Sequence, residues 1–137
     1  MVYVLDSSFV GSIIIPDEKK LNIISLYAKI GRDEEKFVPH LFWYEIANIY
    51  HSLIRRKRYT YNEVLELFPM LDSFSLIDDF ETGLEYSKEL LRLCNDYSLT
   101  SYDAAYLELA RRKNAVLCTL DDGLQAAAKK TGVVVLK

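Results

Sequence analysis

Four acidic residues stand where an acid is hard to explain by composition alone. Asp6 closes the apolar run "VYVL", Glu45 interrupts "LFWYEIANIY", Asp103 opens "SYDAAYLELA", and Asp121 follows "AVLCTL", with Asp122 beside it. Each has a plain structural reading. Asp6 and Asp121 can cap the helices that follow them. Asp103 lies three residues after Thr100, close to a capping box, and the helix dipole favours an acid there. Glu45 can sit on a helix surface. Brought together, the four would repel and raise one another's pKa values. A lone acid in an apolar stretch needs a partner, because an unpaired buried charge is very expensive. A divalent cation resolves both problems. Oxygen donors without histidine or thiolate select Mg²⁺ or Mn²⁺ over Zn²⁺. Such an ion keeps several waters and takes substrate phosphate into its shell, which is what phosphodiester hydrolysis requires; a second ion about 4 Å away would steady the leaving oxygen.

The elements that must position these acids follow from periodicity. "VYVL" (2–5), "KFVP" (36–39), "SFSLI" (73–77), "AVLCTL" (115–120) and "VVVL" (133–136) read as strands. Helices are expected over 7–15, stopped by Pro16, and over 18–31, with Gly31 as C-cap. Further helices are expected at 41–58 with a basic tail, at 61–73 behind a Thr60/Glu63 capping box with Pro69 kinking or ending it, and at 80–97, 101–113 and 123–132. Strands alternate with helices, and the strands are apolar throughout rather than alternating. That predicts an α/β fold: a mostly parallel sheet of four to five strands in a three-layer α/β/α arrangement. Ligands in such sheets bind outside the carboxyl ends of the strands. Asp6, Asp103 and Asp121 map to that rim, and Glu45 joins them if its helix starts there.

The 137 residues carry 17 Lys and Arg against 20 Asp and Glu, a net charge of −3. One domain over 1–137 is expected. No basic surface announces a nucleic-acid binder, but a carboxylate site with a bound cation also counts as acidic. No apolar run is long enough to span a membrane and no secretory signal is visible, so no membrane association and a cytoplasmic location are expected. Cys94 and Cys118 fit no zinc or redox spacing and read as buried small hydrophobes. His40 and His51 form no zinc pattern and read as structural or surface residues. "RRKR" (55–58) and "RRK" (111–113) read as solvated helix ends rather than phosphate contacts. Phe42, Trp43 and Tyr44 cannot all face one way. Core is the better reading, with one or two left to line a groove for a partner or for stacked bases.

The ordered set "VLDSS" (4–8), "FVPHLFWYEIANIY" (37–50) and "LTSYDAAYLELARRKNAVLCTLDDGLQAAAKKTGVVVL" (99–136) resembles PIN-domain ribonucleases, especially the VapC-type toxins of toxin–antitoxin pairs. Residues 17–36 and 59–98 match only in length and helical character. The resemblance implies a PIN-like fold in which Asp6, Glu45, Asp103 and Asp121 form the acidic metal pocket. It places Ser7 or Ser8 nearby as hydrogen-bonding hydroxyls and Thr119 at the family's hydroxyl position. Asp122 is an accessory at best, because the family's further acid lies farther along. The activity implied is Mg²⁺- or Mn²⁺-dependent endoribonuclease, with one or two ions, leaving a 5′-phosphate and a 3′-hydroxyl. The partners implied are RNA, a small antitoxin protein that covers the active-site groove, and a second copy in a homodimer. A PIN nuclease of RNA processing without an antitoxin is the near alternative. A phosphoacceptor receiver domain is the distant one: strand 1 supplies only Asp6, and no lysine follows "AVLCT". A catalytically dead binding domain is disfavoured by four intact acids.

Overall fold

The computed structural model describes residues 1–18 and 20–137. Strand β1 (Val2–Leu5) leads into α1 (Ser7–Ile14), a 3-10 turn (Pro16–Glu18) and α2 (Leu21–Tyr27). After β2 (Glu35–Pro39) come α3 (Leu41–Arg55), α4 (Tyr61–Leu65) and α5 (Phe68–Asp72). Strand β3 (Ile77–Asp79) is followed by α6 (Leu84–Tyr97) and α7 (Ser101–Arg112), then β4 (Val116–Cys118) and α8 (Asp122–Thr131).

The four strands run in the order β3-β2-β1-β4, and every pairing is parallel. Side chains alternate between two cores. Tyr3, Leu5, Val38, Val116 and Cys118 enter one, with α1, α3 and the residues around α5. Val4, Phe37 and Leu117 enter the other, with α6, α7 and α8. Strands buried on both faces explain the unbroken apolar runs. The same alternation makes the third layer. The strand order reverses between β1 and β4, where the polypeptide leaves β1 toward one face and β4 toward the other. That is the switch point at which open parallel sheets bind ligands. Among the described residues, no helix is long and apolar enough to cross a membrane.

Helix α7 is buried on almost all sides from Ala104 to Ala110, so it lies across the sheet rather than beside solvent. Helix α3 shows a cleaner stripe: Phe42, Ile46, Tyr50 and Leu53 face the core at helical spacing. Leu41, Tyr44, Glu45 and Asn48 form the next stripe round the helix.

Several expectations need correction. The third strand lies at Ile77–Asp79, not 73–77: Phe74 goes into the core at the end of α5 instead. "VVVL" is not a strand of its own but pairs through a single bridge between Leu117 and Val135, so the sheet of the described residues has four strands, within the expected four to five. The helix expected over 18–31 spans Leu21–Tyr27, and Ala28 rather than Gly31 caps it; the part of that expectation resting on Lys19 lies outside the described residues. The segment 61–73 divides into two short helices, with Pro69 in the first turn of the second. Cys118 is buried, but Cys94 is only half-buried.

Candidate active site

Asp6 follows β1 directly, in extended backbone as the N-cap of α1. Its amide donates to the Cys118 carbonyl at 3.0 Å, which ties the ends of β1 and β4 together. Its side chain is 5 % exposed. Oδ1 accepts from the Phe9 amide at 2.9 Å and from Ser8 Oγ at 2.7 Å, and Oδ2 accepts from Thr119 Oγ1. Burial pushes the Asp6 carboxyl above its ordinary value. Those three donors pull it back, and the charge of Glu45 pushes it up again.

Glu45 sits in the second turn of α3, beside the core stripe. Its Oε1 accepts from Tyr106 Oη at 2.6 Å and from Ser7 Oγ at 3.2 Å. Burial raises its pKa as well; the Tyr106 and Ser7 hydroxyls oppose the shift, and the charge of Asp103 adds to it. Asp103 lies in the first turn of α7. Its amide donates to the Thr100 cap at 3.2 Å. Its pKa is raised by burial first, then by the charges of Asp121 and Asp6. Asp121 caps α8 and accepts from the Leu124 amide at 2.7 Å. Thr119 links the two strand ends: its hydroxyl donates to Asp6 and accepts from the Asp121 amide at 3.1 Å.

Asp6, Glu45, Asp103 and Asp121 therefore share one electrostatic neighbourhood, reached from α1, α3, α7 and α8. The capping roles of Asp6 and Asp121 are real, yet capping does not account for the convergence. Among the described residues none of the four forms an ion pair with Lys or Arg. Nor, among those residues, do three or more acid, histidine or cysteine side chains close into a ready-made ligand shell. The donor set suits a hard cation that keeps much of its water and needs only one or two direct carboxylates. It does not suit a metal that demands four protein ligands.

Of the accessory residues, Ser7, Ser8 and Thr119 reach the acids as hydrogen-bond donors. Asp122 does not join them: it faces a separate groove with Gln125, Lys129 and Val134. His40 and His51 are on the surface. Two participants escaped the sequence analysis. Tyr106 holds Glu45, and Gln125 Nε2 donates to the Thr119 carbonyl at 2.8 Å. The signal for Tyr106 was its i,i+3 spacing from Asp103, which puts both on one face of a helix.

A parallel sheet with acids gathered at its switch point defines a class, and the sequence match agrees. Residues 3–130 match the family model of the PIN domain, so the chain belongs to the PIN-domain family. It is 26% identical over 121 residues to Ribonuclease VapC3 of Pyrobaculum aerophilum, covering 88% of this chain and 90% of that one. The crystal structure of PAE2754 from Pyrobaculum aerophilum superposes with a TM-score of 0.72 at 26% identity, covering 98% of this chain and 83% of the other. A toxin-antitoxin complex from Klebsiella pneumoniae contains a chain of the same fold, with a TM-score of 0.61 at 13% identity over 87% of this chain and 86% of that one.

Proposed function

We propose that this chain is a divalent-metal-dependent endoribonuclease and the toxin of a type II toxin–antitoxin pair. One observation carries the chemistry. Asp6, Glu45 and Asp103 meet at one sheet edge, and each carboxyl is pushed above its ordinary value by burial first and then by the charge of another member of the group. Anions held in mutual repulsion, with hydroxyls rather than cations as neighbours, are organised for a positive ion from outside. The likeness to Ribonuclease VapC3 supports RNA as substrate, and the shared fold of the Klebsiella pneumoniae toxin-antitoxin complex supports a protein antitoxin.

Asp6, Asp103 and Asp121 would hold Mg²⁺ or Mn²⁺, directly or through water. A bound ion would supply Lewis acidity toward the phosphoryl oxygens and would lower the pKa of water, so that hydroxide is available for in-line attack. Glu45 would complete the shell or orient the attacking water, with its Oε1 held by Tyr106 and Ser7. Thr119 and Ser8 keep the Asp6 carboxylate in one orientation. The reading makes residues 1–137 one catalytic domain that acts in the cytoplasm as a homodimer.

The test is RNA cleavage with Mg²⁺ or Mn²⁺ by the parent and by Asp6→Asn and Asp103→Asn. The parent should cut and both variants should lose cleavage while remaining folded. Folded variants that cut as fast as the parent would show the assignment to be wrong. A small protein encoded beside the gene that blocks the parent's cleavage would identify the antitoxin.

A further inference from the structure

The exposed stripe of α3 opens a cleft directly beside the acids. Leu41, Tyr44, Glu45 and Asn48 line one side and Tyr102 of α7 lines the other, around about 370 Å³. That volume lies toward the small end of ligand sites, which run roughly 300–1,000 Å³. Glu45 belongs to both the cleft and the acidic site, and Tyr102 directly precedes Asp103. Whatever fills the cleft therefore touches the site. Tyr44 and Tyr102 are 68% and 62% exposed, although Phe42 on the same helix as Tyr44 is wholly buried. Two more rings lie near Tyr44: the His40 ring is edge-on to it at 6.0 Å, and the Phe80 ring is 6.2 Å from that of His40.

We infer that Tyr44 and Tyr102 form a base-stacking subsite, with Asn48 at the base edge, for an unpaired nucleotide next to the scissile phosphate of RNA. The inference rests on the ribonuclease reading given above and names what holds the substrate. Charge complementarity favours a base. Among the described residues, the cleft is lined by the Glu45 carboxylate and by no Lys or Arg. Away from the ion the cleft offers a phosphate or an acidic peptide no positive partner, whereas a neutral, flat base needs none. Tyrosine faces stack on any base. Asparagine adds an edge that donates and accepts hydrogen bonds. The walls are two tyrosines, an asparagine and a glutamate beside a single leucine, which suits a base better than an apolar protein segment.

The test uses a labelled single-stranded RNA oligonucleotide with Mg²⁺. Its cleavage point is mapped first, and abasic residues are then placed on either side of that point. Tyr44→Ala and Tyr102→Ala should each raise KM by about 5- to 150-fold, the value of one lost stack. They should affect kcat much less. Tyr44→Phe and Tyr102→Phe keep the ring and should stay near the parent. Tyr61→Ala, an exposed tyrosine on α4, should change nothing. An abasic residue on one side should harm the parent but add no further loss in the double alanine variant. Alanine variants with the parent's KM, or an abasic penalty undiminished in the double variant, would overturn the subsite. So would a change of oligomeric state that accounts for the loss, or unchanged RNA kinetics with lost inhibition by an antitoxin. A parent that cuts none of the RNA, with Mg²⁺ or Mn²⁺, would instead remove the ribonuclease reading and the subsite with it.

Discussion

Two groups of acids lie at opposite ends of α7, and they are treated differently. At the C-terminal end, Arg112 sets its guanidinium between Glu108 and Asp79. It donates to Glu108 at 2.6 and 3.2 Å and to Asp79 at 2.6 and 3.0 Å. Both acceptors are largely buried, and their hydrogen bonds first, then their charges, push the guanidinium pKa still higher. At the N-terminal end, Asp103 meets Asp6, Glu45 and Asp121 with no basic side chain among the described residues to pair with them. Buried acids that serve the fold are given an arginine, because an unpaired buried charge is strongly destabilising. The acids at the sheet's switch point are given hydroxyls, backbone amides and one another. On the proposed reading, the difference fits a site whose positive partner comes from outside the chain.

The sharpest way to break this contrast is to neutralise one acid in each group. Asp103→Asn should lower RNA cleavage by roughly 100-fold or more, the consequence of losing several kcal/mol of metal-supplied stabilisation. It should also raise the melting temperature of the metal-free protein, because it removes a repelled charge. Arg112→Ala should do the reverse. Glu108 and Asp79 would be left unpaired, and urea denaturation should record a loss of about 3 kcal/mol, within the range for breaking buried pairs. Cleavage per folded molecule should be nearly unchanged.

Two smaller effects sharpen the comparison. Tyr106→Phe leaves Glu45 Oε1 with only the Ser7 hydroxyl. It should weaken metal affinity or cleavage by about 10-fold, at the low end for loss of a group that orients a ligand. Calorimetric Mn²⁺ titration and steady-state kinetics would measure it. The smallest effect is one of pH. The raised pKa of Asp103 means that the folded chain binds its proton more readily than the unfolded chain does. The resulting destabilisation is absent at acid pH and grows as pH rises from about 4 through the raised value. The melting-temperature gain of Asp103→Asn should therefore be larger at neutral pH than near pH 4, and Mg²⁺ should reduce it. A gain independent of pH would assign the effect to packing instead.

The parts legible in the sequence were those set by local pattern. Apolar runs gave β1, β2 and β4, and helical spacing gave α3 and α7. Acids at strand-to-helix junctions gave the rim. What escaped depends on contacts between distant segments. Strand β3 is "IDD", which no apolar pattern would select. It pairs with β2 through its backbone while Trp43 donates to Asp78 and Arg112 holds Asp79. The "VVVL" run has strong strand propensity, but only the bridge at Val135 and two hydrogen bonds around it, at 2.8 and 2.9 Å, join it to β4. Tyr106 looked like one more apolar residue of α7, and its role appears only because α3 crosses near it. Tyr44 resolves the open question about the "FWY" triplet: Phe42 is core, Trp43 reaches β3, and Tyr44 is left at the cleft.

The central claim is that these four carboxylates form a cation site. Calorimetric titration of Mn²⁺ into the metal-free parent and into Asp103→Asn tests it most directly. The account predicts saturable binding to the parent and at least a 10-fold weaker constant in the variant, which should remain folded and be more thermally stable. Equal Mn²⁺ affinity in the two proteins, or no binding to the parent, would contradict it.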